Sequence, residues 1–115
     1  KLNTRLNVSI DGENGKINIK VFDDLNDSIG SGLLRLKVIE DDLVVFDDEN
    51  LAFLSGLCSL DFDFKEDSNY SILTVFDGNL YYNPSISILK FKYEPIKLIA
   101  GDLVMDYKDG SKYSV

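Results

Sequence analysis

Asp77-Gly78-Asn79-Leu80-Tyr81-Tyr82-Asn83-Pro84-Ser85 separates two runs of strand length, Tyr70–Phe76 and Ile86–Tyr93. Asp-Gly supplies a tight turn, because glycine enters the left-handed region without a steric cost. Asn-Pro supplies a second turn, with the proline ring holding φ near about −65° where the next strand begins. Between the turns stands a pair of tyrosines. The stretch predicts a β-hairpin with an aromatic tip, and the chain on either side has to be β for that hairpin to find a sheet.

It is. Apolar residues alternate with polar ones through most of the chain, with turn residues every eight to twelve positions. That spacing marks a sandwich or barrel. Leu6, Val8 and Ile10 share one face of Thr4–Ile10. After Asp11-Gly12-Glu13-Asn14-Gly15, the residues Ile17, Ile19 and Val21 share one face of Lys16–Phe22. The two runs predict a second hairpin. Asp23–Gly32 reads as a loop, and Leu34, Leu36 and Val38 mark a strand over Leu33–Ile39. Glu40-Asp41-Asp42 turns the chain into a short strand, Leu43–Phe46, and Asp47–Asn50 reads as an acidic turn. Leu51–Leu54 fits a short strand or a helical turn. Leu57–Phe64 alternates, with Ser59, Asp61 and Asp63 toward water. In Ser85–Tyr93, Ile86 and Ile88 share a face while Leu89, Phe91 and Tyr93 take the other, which predicts a β-bulge. No segment of ten residues has helical period. The expected fold is an immunoglobulin-like antiparallel β-sandwich of seven to nine strands with little or no helix. Its expected core is Ile17, Ile19, Val21, Leu34, Leu36, Val38, Leu60, Phe62 and Ile72.

The sandwich is expected to fill residues 1–96, since Glu94-Pro95 marks a boundary. Beyond it, Leu103–Tyr107, a Lys108-Asp109-Gly110 turn and Ser111–Val115 echo the first hairpin. Residues 97–115 read either as the start of a following repeat or as additional C-terminal strands. The abrupt start at Lys1 and the end inside a strand-like run suggest a piece of a longer protein.

Composition narrows the function classes. Of 115 residues, 44% are apolar, enough for a core, and the net charge is −8. Phosphate backbones and anionic lipid surfaces need clustered Lys and Arg, so nucleic acid and direct membrane insertion are not expected. There is no His, which removes the commonest general base and metal ligand. Cys58 is the only cysteine and lies on the alternating series Cys58, Leu60, Phe62, Phe64, where a buried, inert thiol is expected. No apolar run reaches the roughly 20 residues of a membrane-spanning helix.

Three segments carry a resemblance. They are Gly15–Asp23 with Gly30-Ser31-Gly32, then Asn69–Ile72 through Asp77-Gly78-Asn79 to Tyr82-Asn83-Pro84-Ser85, and finally Asp102–Tyr113. Together, over about half the chain, they resemble bacterial-immunoglobulin-like (Big-type) repeats of large adhesin-like surface proteins of methanogenic archaea. Glu40–Leu57 departs from that pattern, being longer and more acidic. The resemblance implies a non-catalytic stalk or adhesive module, tandem repetition, an extracellular place at the cell surface, and no catalytic residues. The partners it implies are neighbouring repeats of the same chain and cell-surface glycans or proteins of host or microbe.

Tyr81 and Tyr82 are the candidate ligand-binding residues, because tyrosine offers contact area at low entropic cost. Packing over the sandwich end is the competing role. Asp41, Asp42, Asp47, Asp48 and Glu49 are candidate calcium ligands, the ion favouring several oxygens; their spacing matches no calcium loop, and solvated turns are the favoured reading. Asp61 and Asp63, roughly 7 Å apart on one strand face, have the separation of a glycosidase pair but no sign of a cleft, so no enzyme is expected. Lys16, Lys20 and Lys37 fall on polar faces, unsuited to a buried Lys–Asn crosslink. Asn7, Asn26 and Asn69 begin Asn-x-Ser sequons and are candidate glycosylation sites, three where composition predicts roughly one by chance.

Overall fold

The computed structural model describes residues 1–94, and the expected strands after Pro95 lie outside the described residues. Among the described residues seven strands occur and no helix: β1 Thr4–Asp11, β2 Lys16–Asp23, β3 Ser31–Glu40, β4 Leu43–Leu54, β5 Leu57–Asp61, β6 Asn69–Phe76 and β7 Ser85–Lys92. All pairings are antiparallel, in the order β1-β2-β5-β4-β3-β6-β7. The sheet is continuous in name only at its middle, because β4 meets β5 through the single pair Leu54↔Leu57. There it folds into two layers, β1-β2-β5 and β4-β3-β6-β7, with the core between them. The expected all-β, immunoglobulin-like sandwich is the observed architecture.

Alternation decides which residues are inside, since successive side chains of a strand point to opposite faces. Ile17, Ile19 and Val21 of β2, Leu34, Leu36 and Val38 of β3, and Ile72 of β6 are buried as expected. Leu60 and Phe62 are only partly buried and pack on the core's margin. Ile29, Phe53, Phe64, Tyr70 and Phe76 join the core. Ile29 escapes a periodicity reading because it enters from the β2–β3 loop. Its amide donates to Val21 O at 3.0 Å, which pins the loop over the core.

Two expectations fail together. Asp47–Asn50 is not a turn but the middle of β4, a strand of 12 residues running without interruption from Leu43 to Leu54. Two steps along β3 (Leu34 to Leu36) span three along β4 (Leu51 to Asp48), and one step at Val38–Ile39 spans two. Each is a bulge. The first switches the parity of β4, so that Phe46 and Asp48 and then Leu51 and Phe53 all lie opposite inward positions of β3. Read with a fixed period of two, that switch looks like two short strands and a break. In β7, conversely, the ladder to β6 is unbroken from Phe76↔Ser85 to Asn69↔Lys92. There is no bulge: Ile86 and Ile88 simply face outward, and Ser85 and Ser87 take the inward positions. A third difference is smaller, β5 ending at Asp61 with Phe62–Phe64 continuing as coil.

The lower end of the sandwich is closed by aromatic rings. Phe64 and Phe62 meet Tyr70 edge-on at 5.2 and 5.8 Å, and Phe91 stacks on Tyr70 at 5.4 Å. Tyr70, at the start of β6, accepts a hydrogen bond on its phenol oxygen from the Lys65 amide at 2.6 Å. It donates to Glu40 Oε2 at 2.7 Å. A tyrosine early in this strand, bonded back to backbone a few residues upstream, is the tyrosine corner of immunoglobulin-like sandwiches.

One buried group in the core lacks a partner. Thr74 is fully buried on β6, opposite Leu36 and Ser87, and its hydroxyl makes no hydrogen bond. Thr74→Val is expected to stabilise the fold by about 1 kcal/mol, since it keeps the shape and removes an unsatisfied polar atom. Chemical denaturation measures it: an unchanged m-value with a higher midpoint is the expected result, and a lower midpoint would mean that the hydroxyl is bonded.

Candidate functional site

The β6–β7 loop folds as two nested turns. Asn79 Oδ1 accepts from the amides of Tyr81 at 2.8 Å and Tyr82 at 3.0 Å, and the Asn79 amide donates to Tyr82 O. This closes Leu80 and Tyr81 into a projecting corner. Gly78 allows the return: φ is +82° and a Cβ there would lie 2.7 Å from Tyr82 O. The N-terminal segment crosses the same loop. Leu2 donates to Tyr81 O and accepts from the Asn83 amide, making a parallel bridge to Tyr82. The Thr4 hydroxyl donates to Asn83 O at 2.8 Å and lies 2.8 Å from Ser85 Oγ.

The two candidate tyrosines therefore differ. Tyr82 is half-buried and packs on the core margin. Tyr81 is 72% exposed and Leu80 83%, both turned to solvent. With Lys1, Leu2 and Tyr82 they border an open hollow of about 530 Å³. A shallow, ring-edged, half-apolar hollow suits the face of a sugar or a small apolar protrusion of a protein. Its polar lining comprises the Lys1 amine and the tyrosine phenols, with no carboxylate among the described lining residues. Among the candidate residues, sequence reasoning missed Leu80 and Leu2; the exposed apolar residue between Asn79 and Tyr81 was the available signal.

The structure does not bring the candidate calcium ligands together. Asp41 and Asp42, both at positive φ, form the two-residue turn from β3 to β4. The Asp41 carboxylate accepts from the Asn69 amide at 2.9 Å. Asp47 and Glu49 stand exposed farther along β4, and Asp48 lies half-buried with its carboxylate accepting from the Asn50 amide. Five residues of strand place Asp42 and Asp47 on the order of 16 Å apart. Among the described residues no three acidic or cysteine side chains converge. Asp61 pairs with Lys16 at 2.5 Å on the exposed face of the β2–β5 ladder.

Comparison with protein-family models, with curated proteins and with solved structures finds no match for this chain. The site rests on its own geometry. Asn7, Asn26 and Asn69, which begin the three sequons, are all exposed. Asn26 Oδ1 accepts a hydrogen bond from Arg5, and the Asn69 amide is held by Asp41. Cys58 is buried, and its thiol pKa is raised by burial first and by the nearby Asp48 carboxylate second. Both effects disfavour the reactive thiolate. No helix among the described residues is long and apolar enough to cross a membrane.

Proposed function

We propose that this chain is a non-catalytic structural module of a tandem-repeat, adhesin-like surface protein, serving as stalk or spacer outside the cell. One observation carries the reading. Leu2 bridges Tyr82 just before β7 begins and Tyr93 follows its last residue, so the described residues start and finish at opposite ends of that strand, in a body measuring 52 × 30 × 18 Å. Leu2 is fixed on the Tyr81–Asn83 backbone, and Tyr93 is fixed by its amide, which donates to Ser68 O, and its carbonyl, which accepts from Asp67. Modules threaded this way stack end to end, each lengthening the array by close to its own length. Three exposed sequon asparagines agree with such a place. The neighbouring repeats of the same chain are the first partners. The resemblance to Big-type repeats of archaeal surface proteins points the same way.

Two copies of residues 1–115 joined in tandem test it. Small-angle scattering is expected to give a maximum dimension longer than one copy's by close to the 52 Å body length. A pair that folds back into a globule would remove the stalk reading. In the parent gene, further copies at a period of roughly 90–100 residues are the matching expectation.

The exposed Leu80–Tyr81 corner favours a second reading, a carbohydrate- or protein-binding module using the Tyr81–Tyr82 tip. Tyr81→Ala is expected to leave stability within about 0.5 kcal/mol, as for other surface positions. Tyr82→Ala is expected to cost about 1–2 kcal/mol through lost packing. Adhesion to cells or a glycan array that falls with Tyr81→Ala at unchanged melting supports the binder; unchanged adhesion returns the tip to architecture.

A further inference from the structure

The four-stranded layer has unlike edges. Its β4 edge carries Asp47, Asp48 and Glu49 and no cation, and its β7 edge carries Lys90 and Lys92 and no carboxylate. Both edges are also apolar on the outside. On β7, Ile86 is 64% and Ile88 60% exposed, and their cross-strand partners on β6 are Val75 and Leu73. Arg35 and Lys37 of β3 continue those two rows, Arg35↔Val75↔Ile86 and Lys37↔Leu73↔Ile88. The result is an apolar block with cations on two sides, on a chain whose net charge is −8. On β4, Leu43, Val44 and Val45 are exposed, with Asp41 and Asp42 before them and Asp47 and Glu49 after. Among the described residues neither edge carries a regular ladder to a further strand, although β1 lies beside the start of β7 through the Leu2↔Tyr82 bridge and the Thr4–Ser85 contact. β4 pairs with β5 only at Leu54↔Leu57, and β7 pairs only with β6, the Leu2↔Tyr82 bridge falling before it begins.

We propose that the outer β6–β7 face of one copy seats the Leu43–Val45 edge of a second copy, so that modules associate side by side. The apolar residues supply the contact and the opposed charges choose the partner and its orientation. Lys92, 3.6 Å from Glu94, exchanges a solvated pair for an intermolecular one. The bulges of β4 keep the contact between side chains, because they interrupt the regular edge that a strand ladder needs. Since the two surfaces differ, the contact is heterologous and extends into rows rather than closing as a dimer.

Sedimentation of the full chain over a concentration series tests this. Association is expected at low salt, and it weakens about tenfold or more as salt shortens the Debye length toward roughly 3 Å at molar concentration. Lys90→Glu with Lys92→Glu, and separately Asp47→Lys with Glu49→Lys, are each expected to stay monomeric alone. Mixed, they are expected to associate again, because the reversed β7 of the first meets the reversed β4 of the second. Ile88→Asp is expected to abolish association with no change in melting of the dilute monomer. A wild-type chain that remains monomeric overturns the proposal. So does a dilute Ile88→Asp chain that melts lower, since residues of the same chain would then cover the face. Two reversed variants that fail to pair overturn the charge-matched geometry.

Discussion

Replacing Tyr70 by alanine is expected to lower unfolding free energy by about 3–5 kcal/mol, the range for removing a large buried aromatic side chain. The ring is 1% exposed and touches Phe62, Phe64 and Phe91, so its loss opens the lower end of the core. Tyr70→Phe separates packing from polarity. It keeps the ring and deprives the Lys65 amide and the Glu40 carboxylate of their partner, at an expected cost of about 1–3 kcal/mol. The same phenol predicts a pH response. Its pKa is pushed up to about 12, by burial first, with the Glu40 carboxylate adding and the Lys65 amide opposing. The folded state thus holds this proton more tightly than the unfolded chain, whose tyrosines titrate near about 10. Its contribution is complete below that value and disappears as pH rises through about 12. Denaturation curves at alkaline pH should therefore fall less steeply with pH for Tyr70→Phe than for the wild type. Equal slopes would mean that the phenol is not the group responsible.

Gly56→Val is the second large effect, with an expected loss of about 2–4 kcal/mol from backbone strain and displaced neighbours. Ser55 and Gly56 form the two-residue turn between β4 and β5, at φ of 52° and 72°, as type I′ requires. A Cβ at Gly56 would lie 2.7 Å from Ser28 Cβ and 3.1 Å from both Ile29 O and Val21 O. Those carbonyls cannot simply retreat. Val21 donates to Gly56 O and its own carbonyl accepts from Ile29, while Gly56 donates to Gly30 O. One turn thereby fastens the β2–β3 loop to the hinge between layers. Gly56→Ala should lose less than valine but more than Ser55→Ala, and thermal denaturation ranks the three. Equal melting for Gly56→Val and wild type would show that the turn can re-form elsewhere.

The legible part of this fold was the part governed by period two. β1, β2, β3 and β6 could be read because their inward residues alternate without interruption, as Ile17, Ile19 and Val21 do. β4 could not, because its parity switch lies among Asp48, Glu49 and Asn50, where acidic residues also imitate a turn. β7 misled in the opposite sense. The parity change between Ile88 and Leu89 imitates a bulge, yet the ladder is regular and the inward neighbours of Ile86 and Ile88 are Ser87 and Ser85, the latter against the Thr4 hydroxyl. Tyr70 was invisible as a determinant, since its role depends on Lys65 and Glu40 meeting it across a loop and a strand. At the tip, the turns and the tyrosine pair could be read from sequence. The division of labour between Tyr81 and Tyr82 could not, because it comes from Leu2, which is 80 residues away along the chain.

The parallel bridge between Leu2 and Tyr82 has a consequence for load. β1 and β7 run in the same direction, with Leu2 beside the start of β7 and Tyr93 following its end. A pull applied at Leu2 and Tyr93 therefore drags these strands past each other along their length. The bonds from Leu2 to Tyr81 and Asn83, and the whole β1–β2 ladder, are strained together rather than peeled one at a time. Under such a pull the described strands part only when many bonds fail at once.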